Sequence, residues 1–357
     1  AKRKVARRMG RTAEGALTAP FTPPSLPLRP AAERAKWEAR MRAWQALAAL
    51  ALAMGLVSSS SVLAQDKLKI AITQRGAWDT GLTEMGQKAG IFKKHGLDVE
   101  ILYTQAGPEA IQALIAGSVD IATGTGVAAA IGTISKGAPL KIISAEILGA
   151  PDQYWYVPAD SPIRKIEDMN GKTISFSLPG SSSNAAALAL VNQYKLNAKL
   201  TATGSIASTL TQTLTKQVDI GFSAIPFFLD KVESGEIRIV ATGEDVGVLK
   251  TRTGRVNLTN LTTWQTRRPV LVRFHAAYKE IIEWMYADPQ ALTIFAEISG
   301  LPPSVVAKVR TLLPKATMNP DEVVGIEQII KEALEGKFIT SALSVDQVKA
   351  MIDIPLK

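Results

Sequence analysis

The sequence predicts an α/β protein of two lobes, each a mainly parallel sheet flanked by helices. Three observations carry this. Strand-like and helix-like runs alternate from Leu68 onward with short connections, as in sheets whose strands are joined by crossover helices. One unit occurs twice, roughly a hundred residues apart: Gly117-Ser118-Val119-Asp120-Ile121-Ala122 and Lys216-Gln217-Val218-Asp219-Ile220-Gly221. Each is a helix end, then Val-Asp-Ile, then small residues leading into a helix. Finally, the roughly 290 residues from Gln65 on are at the size where a single core divides in two.

The leader accounts for the basic balance. The 357-residue chain has a formal charge of +9. Eleven Lys or Arg and only three Glu precede Gln65, so the remainder is close to neutral. The charge is therefore no argument for nucleic-acid binding by the folded part. Met41–Trp44 is a short basic start, Ala46–Val57 an apolar run and Ser58–Ser61 a small polar patch, and Val62-Leu63-Ala64 precedes Gln65. That order predicts a secretory signal peptide over 41–64, cleaved after Ala64. The apolar run, about a dozen residues, falls short of the roughly 20 a spanning helix needs. Residues 1–40 are basic and Pro-rich, with little to pack. The expectation is that translation starts at Met41 and that 1–40 lie outside the working protein; the rival is a disordered or transit extension. The chain has no cysteine, so the exported part relies on its core rather than on disulfides.

In order, Lys67–Thr73 alternates and then turns apolar, a strand. Gln74–Gly81 is a loop. Leu82–Phe92 is a helix, with Lys93-Lys94-His95-Gly96 closing it by positive charge and glycine. Leu97–Tyr103 is a second strand, Pro108–Ala116 a helix, and Val119–Ala122 a very short strand. Gly124-Thr125-Gly126 is a loop into the helix Val127–Ser135, and Leu140–Ala145 is a further strand. Ligands of such sheets sit off the carboxyl ends of the strands.

The cycle then repeats. Gln153–Val157 is an aromatic strand in which Tyr154 and Trp155 alternate, so only one can face a given side. Strands follow at Thr173–Ser177, Leu200–Ala202, Val218–Gly221 and Ile237–Thr242. Helices lie at Asn184–Tyr194, Ser208–Thr215 and Phe227–Glu233, the last opened by Ala224-Ile225-Pro226. From Pro269 the chain is helical: Val270, Phe274, Ala277, Tyr278, Ile281, Ile282 and Met285 keep a helical period, and Ala287-Asp288-Pro289 breaks it. Helices near 304–312, 321–334 and 344–352 read as a surface-packing tail.

One stretch points to a ligand. Strand 173–177 stops at Pro179-Gly180, then Ser181, Ser182, Ser183 and Asn184 open an alanine-rich helix. The first amides of a helix lack internal partners and carry partial positive charge. Serine hydroxyls beside them suit a sulfonate, carboxylate, phosphate or nitrate oxygen. The commoner use of such serines is to cap a buried helix.

Taken together, Trp78-Asp79, the run 89–100 (AGIFKKHGLDVE), the run 116–121 (AGSVDI), the run 168–174 (DMNGKTI) and Pro179-Gly180-Ser181-Ser182 resemble a known family. They are similar to the periplasmic substrate-binding proteins of nitrate/sulfonate/taurine-type ABC transporters, from about Leu68 to Ile354. The resemblance implies a two-lobed type II periplasmic-binding-protein fold with a ligand cleft between the lobes. Lobe 1 would be 65–152 and 256–357, lobe 2 153–255, with crossovers near Gly149–Val157 and Gly243–Asn257. It implies a monomer in the periplasm that hands a small, anionic organic solute to an inner-membrane permease, with no cofactor and no metal. Carried over residue by residue, the ligand contacts are Trp78, Asp79, Gly124, Thr125, Gly126, Tyr154, Ser181, Ser182, Ser183, Asn184, Ala224 and Pro226. Trp78 is equally a core residue, and for Asp79 a helix cap is the favoured reading. His95 and His275, the two histidines, read as surface residues, which makes nitrate less attractive than a larger organic acid. Arg75, Arg267 and Arg268 are candidate counter-charges, more often solvated.

The chain carries no His-Glu-x-x-His, no P-loop and no Gly-x-Ser-x-Gly motif, and so no catalytic residues are assigned. The alternatives are an enzyme on the same fold, of pyrimidine-precursor or menaquinone-pathway type, or a sensory binding protein docking on a receptor. The pyrimidine synthases resemble the chain but use cysteine- and histidine-rich motifs absent here.

Overall fold

The computed structural model describes residues 65–356 and, in the leader, Pro30 and most of 32–44. The leader and the body from Leu63 on are separate units. The described leader residues from 32 to 44 are helical and exposed; the apolar run and the expected cleavage point lie outside the described residues. Among the described residues no helix is long and apolar enough to cross a membrane.

The first sheet has five strands. β1 (Asp66–Thr73) pairs in parallel with β2 (Leu97–Thr104) and β3 (Ile121–Gly126). β10 (Thr253–Asn260) returns from far along the chain and lies antiparallel between β3 and β4 (Leu140–Leu148). Strand periodicity splits the side chains of β1: Leu68, Ile70 and Ile72 enter one core and Ala71 the other. The first core is closed by α1 (Leu82–Lys88), α2 (Ile91–Lys94) and α9 (Arg268–Ala287); the second by α3 (Gly107–Ile115), α4 (Val127–Ser135) and α13 (Ile326–Glu335). A strand covered on both faces explains why Ile70, Ala71 and Ile72 are apolar in succession.

In the other half of the body, β5 (Gln153–Pro158) runs antiparallel to both β8 (Gly221–Ala224) and β9 (Ile237–Thr242). β6 (Thr173–Phe176) and β7 (Lys199–Ala202) pair in parallel, and a parallel bridge from Ile174 to Ile220 links the two sets. α5 (Ser182–Gln193), α6 (Ile206–Leu214) and α7 (Leu229–Glu233) pack here, with Trp155, Ile174, Phe176, Ala186, Leu190 and Phe222 in the core.

The repeated Val-Asp-Ile unit has a structural purpose. Asp120 accepts a hydrogen bond from the Lys69 amide at 2.8 Å, and Asp219 accepts from the Thr173 amide at 2.8 Å. Each aspartate tethers a neighbouring parallel strand in its own half.

Several expectations change. The helix expected over Leu82–Phe92 is two helices, broken where Gly90 takes φ 75°. Gly124–Gly126 extend β3 and are not a loop. Strand β10 overlaps the end of the expected second crossover and runs three residues beyond it. α13 is no surface tail: Ile329, Ile330 and Ala333 are buried in the second core. The remaining helices are α8 (Leu261–Thr266), α10 (Pro289–Ser299), α11 (Pro303–Val306), α12 (Val309–Leu312) and α14 (Val345–Lys349). α10 is capped by Asp288, whose side chain accepts from the Gln290 amide.

Candidate functional site

The carboxyl ends of β1, β3 and β6 and the start of β5 meet around a cavity of about 40 Å³. Three helix N-termini reach it: Ala106-Gly107 of α3, Ser181–Ser183 of α5 and Ile206 of α6. These helices have nine, twelve and nine residues, long enough for their aligned dipoles to place partial positive charge at the cavity.

The three serines do different work. Ser181 is the N-cap of α5, and its hydroxyl accepts from the Asn184 amide at 3.1 Å. Ser183 is an internal hub: its Oγ accepts from the Ser177 amide at 3.1 Å and lies 2.9 Å from the hydroxyls of both Ser177 and Ser181. Ser182 alone presents its Oγ to the centre, where Gln153 Nε2 donates at 3.4 Å and Arg255 Nη1 at 3.5 Å.

Arg255 dominates the electrostatics. Its Nε donates to Glu146 at 3.2 Å, Nη1 to Asp152 at 3.1 Å, and Nη2 to Asp79. Its side chain is 5% exposed, and those of Asp79, Glu146 and Asp152 are 1%, 0% and 4% exposed, so solvent screens none of the four. One guanidinium cannot neutralise three carboxylates. Burial accordingly pushes Glu146 up to about 8 and Asp152 up to about 7. Tyr278, from α9, donates its hydroxyl to the second oxygen of Glu146 at 3.2 Å. Burial also lowers the Arg255 guanidinium, to about 10.

Of the residues expected at the ligand, Asp79, Gly124, Ser181, Ser182, Ser183 and Ala224 line the cavity, whereas Trp78, Thr125, Gly126, Tyr154, Asn184 and Pro226 do not. Trp78 is fully buried in the first core, edge-on to Tyr286 and Phe295, with its indole N–H donated to the Tyr286 hydroxyl at 3.1 Å. Tyr154 is buried and donates its hydroxyl to the Phe227 carbonyl; Trp155 donates to the Ser175 carbonyl at 3.2 Å, so neither ring faces the cavity. Thr125 is tied to the Val256 carbonyl at 2.8 Å. Asn184 folds back to accept from the Gly180 amide at 3.1 Å. Pro226 follows a cis peptide bond beyond the end of β8. Gly126 is a contact between the halves: a Cβ there would lie 3.0 Å from the Ser182 amide nitrogen.

Asp79 caps nothing. The N-cap of α1 is Gly81, without a side-chain hydrogen bond, and the Asp79 carboxylate goes to Arg255. Arg75, Arg267 and Arg268 pair elsewhere, with Glu84, Asp120 and Asp353. His95 bonds Glu280 at 2.9 Å. His275 is buried rather than on the surface, bonded to Asp321 at 2.8 Å, and does not line the cavity.

Sequence reasoning missed Arg255, Glu146, Asp152 and Gln153. The alternation of Arg255-Val256-Asn257-Leu258-Thr259 was the available signal for β10. It would still have suggested a polar face in water, whereas Arg255, Asn257 and Thr259 are all buried.

Comparisons with known proteins agree with this architecture. A presumed binding protein of Brucella abortus (strain 2308) is 29% identical over 133 residues, 35% of this chain and 38% of that protein. A counterpart from Brucella suis biovar 1 matches to the same extent, so the alignment spans well under half of these relatives' length. Among solved structures, the alkanesulfonate-binding protein SsuA from Xanthomonas axonopodis pv. citri, bound to MOPS, superposes with a TM-score of 0.68 at 19% identity, covering 81% of this chain and 98% of that one. The periplasmic nitrate-binding protein NrtA from Synechocystis PCC 6803 gives 0.63 at 13% identity, covering 80% and 84%. At these identities the likeness shows the periplasmic-binding-protein fold. The model of the family described as NMT1/THI5 like matches residues 83–292, more than half of the chain, and the chain belongs to that family.

Proposed function

We propose that the chain is the solute-capturing component of an ABC importer, working in the periplasm as a monomer. Its lobes, 65–152 with 256–357 and 153–255, would close on a small organic solute bearing a sulfonate or carboxylate and present it to an inner-membrane permease. The observation that carries this reading is the convergence of three helix N-termini from both halves on one cavity. Uncapped amides at such ends hold an oxyanion without a full counter-charge. The neighbours named for alkanesulfonate and for nitrate support the same ligand chemistry. Among the described residues no Lys or His lines the cavity, which favours the larger organic acids over nitrate.

The cavity admits only a few waters. A solute therefore enters as the halves part, and closure would dry the site and strengthen each hydrogen bond. Protein refolded to remove bound solute and screened by thermal shift against sulfonates, carboxylates, nitrate and neutral solutes tests this. A ligand at a hundred times its Kd adds about 2.7 kcal/mol to the folded state, a shift of several degrees. Shifts from neutral solutes with none from any acid would refute the oxyanion reading.

A further inference from the structure

Two adjacent residues at the cavity leave acceptors unpaired. Asp152 Oδ1 and Gln153 Oε1 have no hydrogen-bond partner among the described residues, although the two residues are only 3% and 2% exposed. Both line the cavity. Buried polar atoms in folded proteins are nearly always paired, so two neighbouring orphans of one kind on one wall are informative.

Neither residue is placed to turn away. The other carboxylate oxygen of Asp152 accepts from Arg255 at 3.1 Å, and its carbonyl accepts from the Ile225 amide at 2.7 Å. Gln153 begins β5 in register with Ala224, and its side-chain nitrogen donates to Ser182, which sets the direction of its oxygen. Of the nearby serine hydroxyls, those of Ser177, Ser181 and Ser183 are bonded among themselves, and that of Ser182 accepts from Gln153 Nε2 and Arg255 Nη1. Three carboxylates share one guanidinium here, so a hydrogen bond donated by a solute would favour the ionised form of Asp152 that burial disfavours.

We propose that Asp152 and Gln153 form a subsite for a nitrogen that donates hydrogen bonds, so that the cleft selects solutes carrying an amine or amidine in addition to their acid group. This rests on the proposed solute-binding function and narrows its ligand class. The acid end would lie at the helix N-termini and Ser182, the nitrogen end at the crossover. Water can serve the two acceptors while the cleft is open. A solute that displaces it without bringing donors leaves them unpaired, and that is the source of selectivity.

The test uses matched pairs differing only in the amine: β-alanine against propionate and taurine against ethanesulfonate, with propylamine as the amine alone. Titration calorimetry on the refolded full chain reads the ratio of affinities within each pair. The amino member should bind at least about tenfold more tightly in the natural protein. Gln153→Leu, which leaves the Arg255 contacts intact, and Asp152→Asn should each shrink that ratio several-fold. Ser182→Ala, which removes an acid-end hydroxyl together with the anchor of Gln153, should weaken both members. Equal affinity within pairs that do bind overturns the amine subsite and leaves the solute-binding function standing. Binding by propylamine alone, as tight as by the amino acids, overturns the two-ended reading. Silence from every compound overturns the inference together with the small-acid reading of the cleft.

Discussion

Replacing Arg255 by Met removes the guanidinium while keeping an unbranched stem of similar length. It strands three carboxylates that are at most 4% exposed and deletes the donors to Glu146, Asp152 and Asp79. Breaking a buried ion pair by removing one partner costs about 3–5 kcal/mol, because an uncompensated charge stays behind. Protonation relieves that cost. Glu146 and Asp152 already lie at about 8 and about 7 with the arginine present, and losing the cation drives both higher. Between the ordinary carboxylate range and these values the native cluster binds more protons than the unfolded chain. Stability contributed by these groups is therefore present at low pH and declines as pH rises through the window from about 5 to about 8. The variant should lose about 3–5 kcal/mol near pH 8.5. Near pH 5.5, where Glu146 and Asp152 hold protons, the loss should be smaller by about 1–2 kcal/mol. Urea unfolding at the two pH values measures both, and the thermal midpoint at the higher pH should fall by roughly 10 °C. Equal losses at the two pH values would refute the account of a shared charge, and no loss near pH 8.5 would refute the burial of the cluster.

Ser183→Ala should destabilise the fold by about 1–2 kcal/mol, since it unpairs both the amide and the hydroxyl of Ser177 and takes one of the two partners of the Ser181 hydroxyl, whereas Ser182→Ala should leave stability within about 0.5 kcal/mol and reduce solute affinity. Denaturation and titration of the two variants separate the roles. Gly126→Ala places a methyl 3.0 Å from the Ser182 amide nitrogen, so it should hold the halves apart and weaken binding about tenfold or more, visible as a larger radius of gyration with solute present. Trp78→Phe should cost about 1–3 kcal/mol from the lost bond to Tyr286 and the space left in the core, with unchanged solute affinity. A loss of binding there would return Trp78 to the ligand wall.

The local elements were legible from the sequence by itself. Strands β1 and β2, the α9 stripe and the serine-opened helix α5 follow from periodicity and capping chemistry, which act over a few residues. The Val-Asp-Ile repeat was legible as a device used twice, though not its purpose, because the tethered amides of Lys69 and Thr173 lie about fifty residues from their aspartates. The site depended on longer reach. β10 lies between β3 and β4 across more than a hundred residues of chain, and nothing local in Thr253–Asn260 announces those partners. By composition Arg255 is the equal of Arg75, Arg267 and Arg268. It differs only because β10 runs through the centre of a sheet and α9 lies over the face it presents, which removes it from water and obliges it to answer Asp79, Glu146 and Asp152 at once. Trp78 was open between wall and core for the same reason: an aromatic ring suits either, and only the packing of Tyr286 and Phe295 against it assigned the core. Local chemistry determined which helix ends were available to a ligand, and tertiary burial decided which charged groups stand beside them.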